Sequence, residues 1–445
     1  MASDLIQIGK SGTLAARSAL DLTAQNIANA NNEDYSRRTV GLAEVTATGS
    51  IAFYSNSALS GVRVDQVRRS DSLFLQNQAR STSSDLARAN AELSGLRNAE
   101  ASIEQSSLYP AIVEFEASLS ALRSDPLDGS LRAAVLENGR TLAQTLQIAD
   151  GALDLAGEQI RFEAGTNVDS ANLAAAELVR INTAIVRTQP GTSSHATLLD
   201  QRDAQLRDLA SLVGISVSYE PSGAANVQLG DASGPALVQG TQAGTLALTS
   251  LADGTIGLAL NGAAVSPASG ALAGQVQALV AQRDIGIELD GLAAQLISEV
   301  NNAQANGAAL DGSTGQPFFS GSDASDIAVA ITTGNALATA PAGSPANSRD
   351  AANLDALRSA LANGGPASEA DRILFELANA VSSRSTTRDA LGSIAETAQL
   401  ALSRETAVDL DAEAANLIRF QQAFQASGRV IQVASDIFDT ILGIR

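Results

Sequence analysis

Leu410, Leu417, Phe424, Ile431 and Phe438 stand seven residues apart in the last 38 residues of the chain. Seven residues are two turns of a slightly underwound α-helix, so a large apolar line kept over four repeats commits the segment to a helix lying along another helix. Its companion line, Ala414, Gln421, Gly428 and Ser435, is small or polar. The opposite terminus carries a matching seam. Leu5, Ile8, Gly12, Ala15, Ala19, Leu22 and Asn26 alternate in steps of three and four, which predicts a helix to about residue 30, roughly 40 Å long at 1.5 Å per residue. That seam is mostly small, so a partner can come close. Two terminal helices of similar length are expected to pair with each other and to leave the middle of the chain as outward domains. The alternative is that each end docks separately on its own globule.

The middle reads as a helical body with a β insert. Asn31, Asn32, Glu33 and Asp34 break the first helix with residues that favour caps and turns. Residues 39–45 and 62–67 alternate as short strands, punctuated by Gly49 and Gly61. A long helix follows, with Leu75, Ala79, Leu86, Leu93, Leu96 and Ile103 on one seam, and helical periodicity returns from Leu131 through Ile160 and from Val168 to Val186. Gln189-Pro190-Gly191 stops it. One more helix carries Leu199, Arg202, Leu206, Leu209 and Val213, with Gly214 as its expected C-cap. From Gly214 to Gly274 the chain changes to short β runs at 215–219, 227–229, 245–248 and 256–260. Asp253-Gly254 and Asn261-Gly262 are hairpin turns between them. Helix resumes at 275–304, near 350–362 and from Pro366, a favourable first helical residue. The expected domains are residues 1–35 with 405–445 as a terminal coiled coil, 36–213 with 275–404 as a mainly helical domain, and 214–274 as a β-rich insert.

Composition narrows the function. The chain has 445 residues, 45% of them apolar but only 3% aromatic, so Ala, Leu, Val and Ile supply the packing. It has no Cys and one His, which excludes disulfides, thiolate nucleophiles and multi-histidine metal sites. The N-terminus lacks the basic and apolar segments of a secretory signal, and no stretch approaches the roughly 20 apolar residues of a membrane span. The net charge of −20 is uneven: residues 1–100 carry ten acidic and ten basic side chains, residues 101–350 carry 26 and 10, and residues 351–445 carry 12 and 8. No basic face offers itself to nucleic acid. The acidic middle reads as a solvated exterior, whereas the near-neutral ends are built to meet something.

No catalytic pattern emerges. His195, after the Pro190-Gly191 turn, would need Asp200 or Asp203 for a triad, and it reads instead as an exposed loop histidine. Asp203 and Arg207, four apart on a helix, read as a surface ion pair. Asp311-Gly312-Ser313-Thr314-Gly315 is a turn rather than a Ca²⁺ loop. Gly9-Lys10-Ser11 lacks the upstream glycine of a phosphate-binding loop. No metal, cofactor or catalytic residue is expected.

A family resemblance comes from the two ends. Ser11-Gly12, Ala15-Ala16, Ala19-Leu20, then Asn26-Ile27-Ala28-Asn29-Ala30-Asn31 and Tyr35-Ser36-Arg37 resemble the signature of flagellar rod, hook and hook-associated proteins. Asn32-Glu33-Asp34 departs from that family's usual Thr-Pro-Gly type of turn. The C-terminal run is similar to the hook-associated members, through Asn416, Leu417, Arg419, Gln421, Gln422 and Phe424, with Phe424 for a more usual Tyr and Gly428 for Ala. Leu198–Asp203 leading into Ile215-Ser216-Val217, and Ala293–Asn302 with Phe318-Phe319, support the same choice. The resemblance implies a non-enzymatic, elongated axial subunit with a β-domain facing outside. It implies a ring of copies of itself at the hook–filament junction, with hook protein below and hook-associated protein 3 above. It also implies unfolded export through the flagellar type III apparatus, and an export chaperone that binds the C-terminal region. Leu5, Ile8, Gly12, Ala15, Ala19, Leu22, Leu410, Leu417, Phe424, Ile431 and Phe438 are the expected assembly interface, with Asn26 and Gln421 as polar register devices. The alternatives are a hook or rod protein of the same family and, from another class, an extracellular adhesin or hydrolase.

Overall fold

The computed structural model describes residues 2–44, 61–362 and 364–443. Val45 and Gly49, which the sequence places in the first strand and its turn, lie outside these residues, as do Met1 and Arg445. In chain order the helices are α1 (Ala2–Ala28), α2 (Leu73–Ser106), α3 (Leu108–Leu122), α4 (Gly129–Arg187), α5 (Ser193–Leu212), α6 (Ala271–Ala305), α7 (Ala352–Ala362), α8 (Pro366–Thr406) and α9 (Leu410–Gly443). The longer strands are β1 (Arg38–Glu44), β2 (Val62–Arg69), β3 (Ile215–Tyr219), β4 (Ala225–Leu229), β5 (Ala236–Gln239), β6 (Gln242–Ala243), β7 (Leu246–Ser250), β8 (Ile256–Leu260) and β9 (Ala263–Val265). The fold is mainly α with small antiparallel sheets, as the periodicities require.

The chain divides into two compact units: Met1–Ser84, Ser170–Thr245 and Gly392–Arg445 form the first, and Asp85–Asp169 with Leu246–Leu391 the second. The first holds the pair α1 and α9, the β1–β2 hairpin and the sheet β3-β4-β5-β6. Asn182 of α4 clamps that sheet: its amide nitrogen donates to the carbonyls of Ala225 and Gly240, and its oxygen accepts from Ala225 N–H at 2.9 Å. Gly214 does not take the left-handed conformation expected of a C-cap. α5 ends instead on Val213 in extended geometry, because Gly214 leads straight into β3.

The second unit is closed around α3, α4, α6 and α7. Its core includes Ile112, Phe115, Leu142, Leu146, Leu292, Leu296, Phe318 and Phe319. The three phenylalanines meet as a cluster, Phe318 and Phe319 edge to face at 4.7 Å. Arg132 lies buried in this unit, and among the described residues no carboxylate pairs with it. Its guanidinium donates to the carbonyls of Pro126, Gly334 and Leu337 and to Thr339 Oγ1, and burial pulls its pKa down. The sheet β7-β8-β9 also belongs here, and Asn261-Gly262 (φ 53° and 85°) make the tight turn joining β8 to β9, the primed geometry their sequence called for. The stretch 214–274, expected as one β-domain, is therefore two sheets lying in different units. Short runs of alternating residues give strands but carry no record of which strands share a sheet.

Candidate assembly site

α1 and α9 pair along their lengths. The reason is local: α1 presents small residues to α9. A Cβ on Gly9 would stand 2.6 Å from Ile431 Cγ1 and 3.1 Å from the Ser427 carbonyl, and one on Gly12 would stand 2.6 Å from Ser427 Oγ. Backbones this close leave no room for a side chain. Ala15, Ala16, Ala19, Leu22, Thr23 and Asn26 continue the buried face of α1. Of the expected N-terminal seam, Gly12 to Asn26 lies on the inward side, while Leu5 and Ile8 are exposed and Gly9 takes the inward position.

The C-terminal seam is rotated from the expected one. Leu417 and Ile431 are half-buried, but Leu410, Phe424 and Phe438 are exposed. The line facing inward is Glu413, Phe420, Ser427 and Ala434, one residue before the expected companion line, and Gln421, Gly428 and Ser435 point to solvent. Apart from Phe420 that line is small or polar too, so hydropathy gave little ground to choose between them. Exposed apolar side chains then accumulate on α9: Leu410, Ile418, Phe424, Val430, Val433, Ile437 and Phe438, with Leu5, Ile8 and Leu14 on α1.

The base of the pair is locked by the signature turn. Asn26 Oδ1 accepts from Tyr35 Oη at 2.7 Å and from Arg38 N–H at 3.1 Å, and its amide donates to the Arg38 carbonyl at 2.8 Å. Asn26 is thus a turn anchor rather than an interhelical register device. Burial pushes the Tyr35 hydroxyl pKa up against the pull of Arg38. Arg37 ties the turn to both C-terminal helices: Nε donates to the buried Glu413 of α9 at 2.7 Å, and its backbone N–H donates to the carbonyl of Thr406 at the end of α8. Asn416 accepts from Arg419 at 2.9 Å within α9, Asn29 donates back to Gln25, Ile27 is half-buried, and Ala28 and Gln422 are exposed.

Beneath the turn lies a buried ion network on β1, β2 and α5. Arg38 Nη2 donates to Asp200 Oδ2 at 2.6 Å, and Arg69 Nη2 to Asp203 Oδ2 at 2.5 Å. Arg69 Nε lies 2.8 Å from Asp200 Oδ1 with its N–H aimed elsewhere. Arg202 closes on Asp203 Oδ1 and donates to the Gly223 carbonyl, and Gln76 donates to Asp203 Oδ2 at 3.0 Å. Burial pushes the Asp200 carboxyl up despite Arg69 and Arg38. Burial would raise Asp203 as well, but Arg202 and Arg69 outweigh it and hold it below the usual carboxylate range.

Two sequence readings are corrected here. Asp203 does not pair with Arg207 on the surface; it faces inward, and Arg207 pairs with Asp34 at 2.7 Å. His195 is not in an exposed loop: it sits half-buried in the first turn of α5, where its N–H donates to the capping Thr192 Oγ1 at 3.2 Å. Asp200 and Asp203, its would-be triad partners, are bound by arginines instead. The sequence signal for the network was the density of Arg and Asp at 37–38, 69 and 200–203, but pairing across so many residues has no local period to reveal it. Among the described residues no group of carboxylates and histidine is arranged to hold a metal, and no helix is long and apolar enough to cross a membrane.

Comparison with known proteins follows the same elements. The family described as "Flagellar hook-associated protein FlgK helical domain" matches residues 93–319, just over half of the chain. A second, "Flagellar basal body rod FlgEFG protein C-terminal", matches residues 404–444, which span α9. The protein named flagellar hook-associated protein 1 of Escherichia coli is 33% identical over 251 residues, 55% of this chain and 45% of that one. Its Salmonella typhimurium namesake is 32% identical over 55% of this chain and 44% of that one. The chain thus spans less than half the length of these two relatives. The Bacillus subtilis protein of the same name is 24% identical over 96% of this chain and 95% of its own. A solved structure described as the flagellar hook junction protein FlgK from Burkholderia pseudomallei is 21% identical over 55% of this chain, with a TM-score of 0.49.

Proposed function

The chain belongs to the flagellar hook-associated protein FlgK family, and from that premise we propose that it is a structural subunit of the bacterial flagellum, forming the ring that joins hook to filament and on which the filament is assembled. The observation that carries this reading is the uncovered apolar side of the terminal helix pair. α9 holds its partner helix through small contacts and turns Phe424, Val430, Val433, Ile437 and Phe438 to solvent. A monomer gains nothing from that arrangement, whereas neighbouring copies laid side by side would bury those residues. On this reading Leu5, Ile8, Leu410, Phe424 and Phe438 work between copies. Gly12, Ala15, Ala19, Leu22, Leu417 and Ile431 hold one copy's two helices together, and the Arg37–Glu413 tie fixes their base.

The activity is assembly rather than catalysis. The partners are further copies, the hook protein on one side and hook-associated protein 3 on the other, with an export chaperone at the C-terminal region before secretion; the site of action is extracellular. Deleting the gene should leave hooks that form while filaments detach. Phe424→Asp should give a soluble chain that fails to enter the ring, and normal filaments on hooks carrying that variant would contradict the assignment. The likeness of residues 404–444 to the rod-protein family keeps one rival, a hook or rod subunit. Labelling separates the two: signal confined to the hook–filament junction supports the junction ring, and signal along the hook or rod supports the rival.

A further inference from the structure

The second unit carries its own row of uncovered apolar side chains. On α4, Ile148, Leu155 and Phe162 stand seven residues apart and are 61%, 67% and 77% exposed. Seven residues are nearly two turns, so the three share one face, each about 10 Å from the next. Apart from Arg161, the charged side chains around them have one sign. Asp154, Glu158, Glu163 and Asp169 are exposed on the same stretch of helix, and Asp150 is half-buried beside them. On α6, the exposed Ile287 lies one turn before Asp290. Burial, then Asp154, Asp290 and Asp323, push the Asp150 carboxyl above its ordinary range; Asp290 is pushed up first by burial and further by Asp323 and Asp154. Among the described residues no ion pair reaches any of these carboxylates, and the nearby arginines are engaged elsewhere. Arg161 donates to the Gly254 carbonyl, Arg283 pairs with Asp253 and Asp284, and Arg140 with Glu137.

We propose that this face of α4 docks a helix of a separate, basic protein, one whose apolar residues recur every seven positions between flanking Lys or Arg. The heptad spacing sets the geometry, since side chains at that interval interlock with a helix laid alongside. The unbalanced carboxylates set the sign, steering a cationic partner in and penalising an anionic one. A second copy of this chain fits poorly. The matching face of a copy carries the same carboxylates, and Phe375, the exposed aromatic on α8 in this unit, stands near Arg372, whose guanidinium is already shared by Glu288, Glu369 and Glu376. Copy on copy would set acid against acid.

The test uses the full chain and two fluorescent 21-residue synthetic helices with leucines at heptad spacing, one flanked by Arg and one by Glu, followed by anisotropy. The Arg-flanked probe should bind, more tightly at low salt, and the Glu-flanked one should not. The double variant Leu155→Ser, Phe162→Ser should lose at least tenfold in affinity with an unchanged thermal melt, because both side chains are exposed, while Phe375→Ser should bind as the parent does. Equal binding of both probes, binding of neither, or full binding by the double variant overturns the proposal. So does self-association in sedimentation that Phe162→Ser abolishes, which would assign the face to a second copy.

Discussion

Phe115, Phe318 and Phe319 in the second unit, and Phe424, Val433 and Phe438 on α9 in the first, are the same sort of side chain put to opposite uses. The first three are sealed in a cluster with Leu119, Leu142 and Leu146 around them; the other three are open to solvent. A buried phenylalanine stabilises its own chain, whereas an exposed one stabilises only what later covers it. The second unit thus closes an aromatic core of its own. The terminal pair is held by close backbone approach and the Arg37–Glu413 tie at its base, and it leaves large apolar side chains open to solvent.

The comparison can be broken most sharply in the core. Phe318→Ala should cost about 3–5 kcal/mol by denaturant unfolding, while Phe424→Ala in the isolated chain should cost less than about 1 kcal/mol. Equal losses would mean that α9 already hides its apolar side in the monomer. Next comes the network at the base of the pair. Asp203→Ala strands Arg69 and Arg202 in a buried site, a loss of about 3 kcal/mol at neutral pH. The sign with pH is fixed: the Asp203 pKa is lowered in the fold, so its stabilisation is complete above the ordinary Asp value near 3.9 and is lost as pH falls through the folded value. Melting curves of parent and variant should therefore converge in acid. Asp200, whose pKa is raised by burial, acts in the opposite sense, its contribution falling as pH climbs from the ordinary value to the raised one.

Smaller effects sharpen the picture further. Gly9→Val would drive a side chain into Ile431, costing about 1–2 kcal/mol. Amide exchange should quicken in α1 and α9 and stay unchanged around Phe115; a uniform change would mean the terminal pair and the second unit open together. Val433→Ser should change the unfolding free energy of the free chain by no more than about 0.5 kcal/mol while reducing filament yield. A filament yield equal to the parent's would remove Val433 from the assembly surface.

Much of the secondary structure was legible because its signals are local. The heptad from Leu410 to Phe438, the stop at Gln189-Pro190-Gly191 and the turn at Asn261-Gly262 each encode one element within a few residues, and each element formed where expected. The site was read in part. Gly12 through Asn26 lie on the inward side of α1, yet the sequence could not see that Gly9 would replace Ile8 there, or that Asn26 would serve the turn through Tyr35 and Arg38.

By itself, the sequence determined that both ends are helices, that the chain has no cysteine and a single histidine, and that charge is concentrated in the middle. Only the tertiary structure decided which side of α9 faces α1, that the β runs of 214–274 separate into two sheets, and that Asp203 faces inward. The reason is physical. Hydropathy repeats fix the period of a helix, but its rotation is chosen by shape, and here the glycines of α1 let Ser427 and Ile431 of α9 approach closely. Ion pairs between residues more than a hundred positions apart likewise leave no periodic trace, and they exist only once the chain has folded.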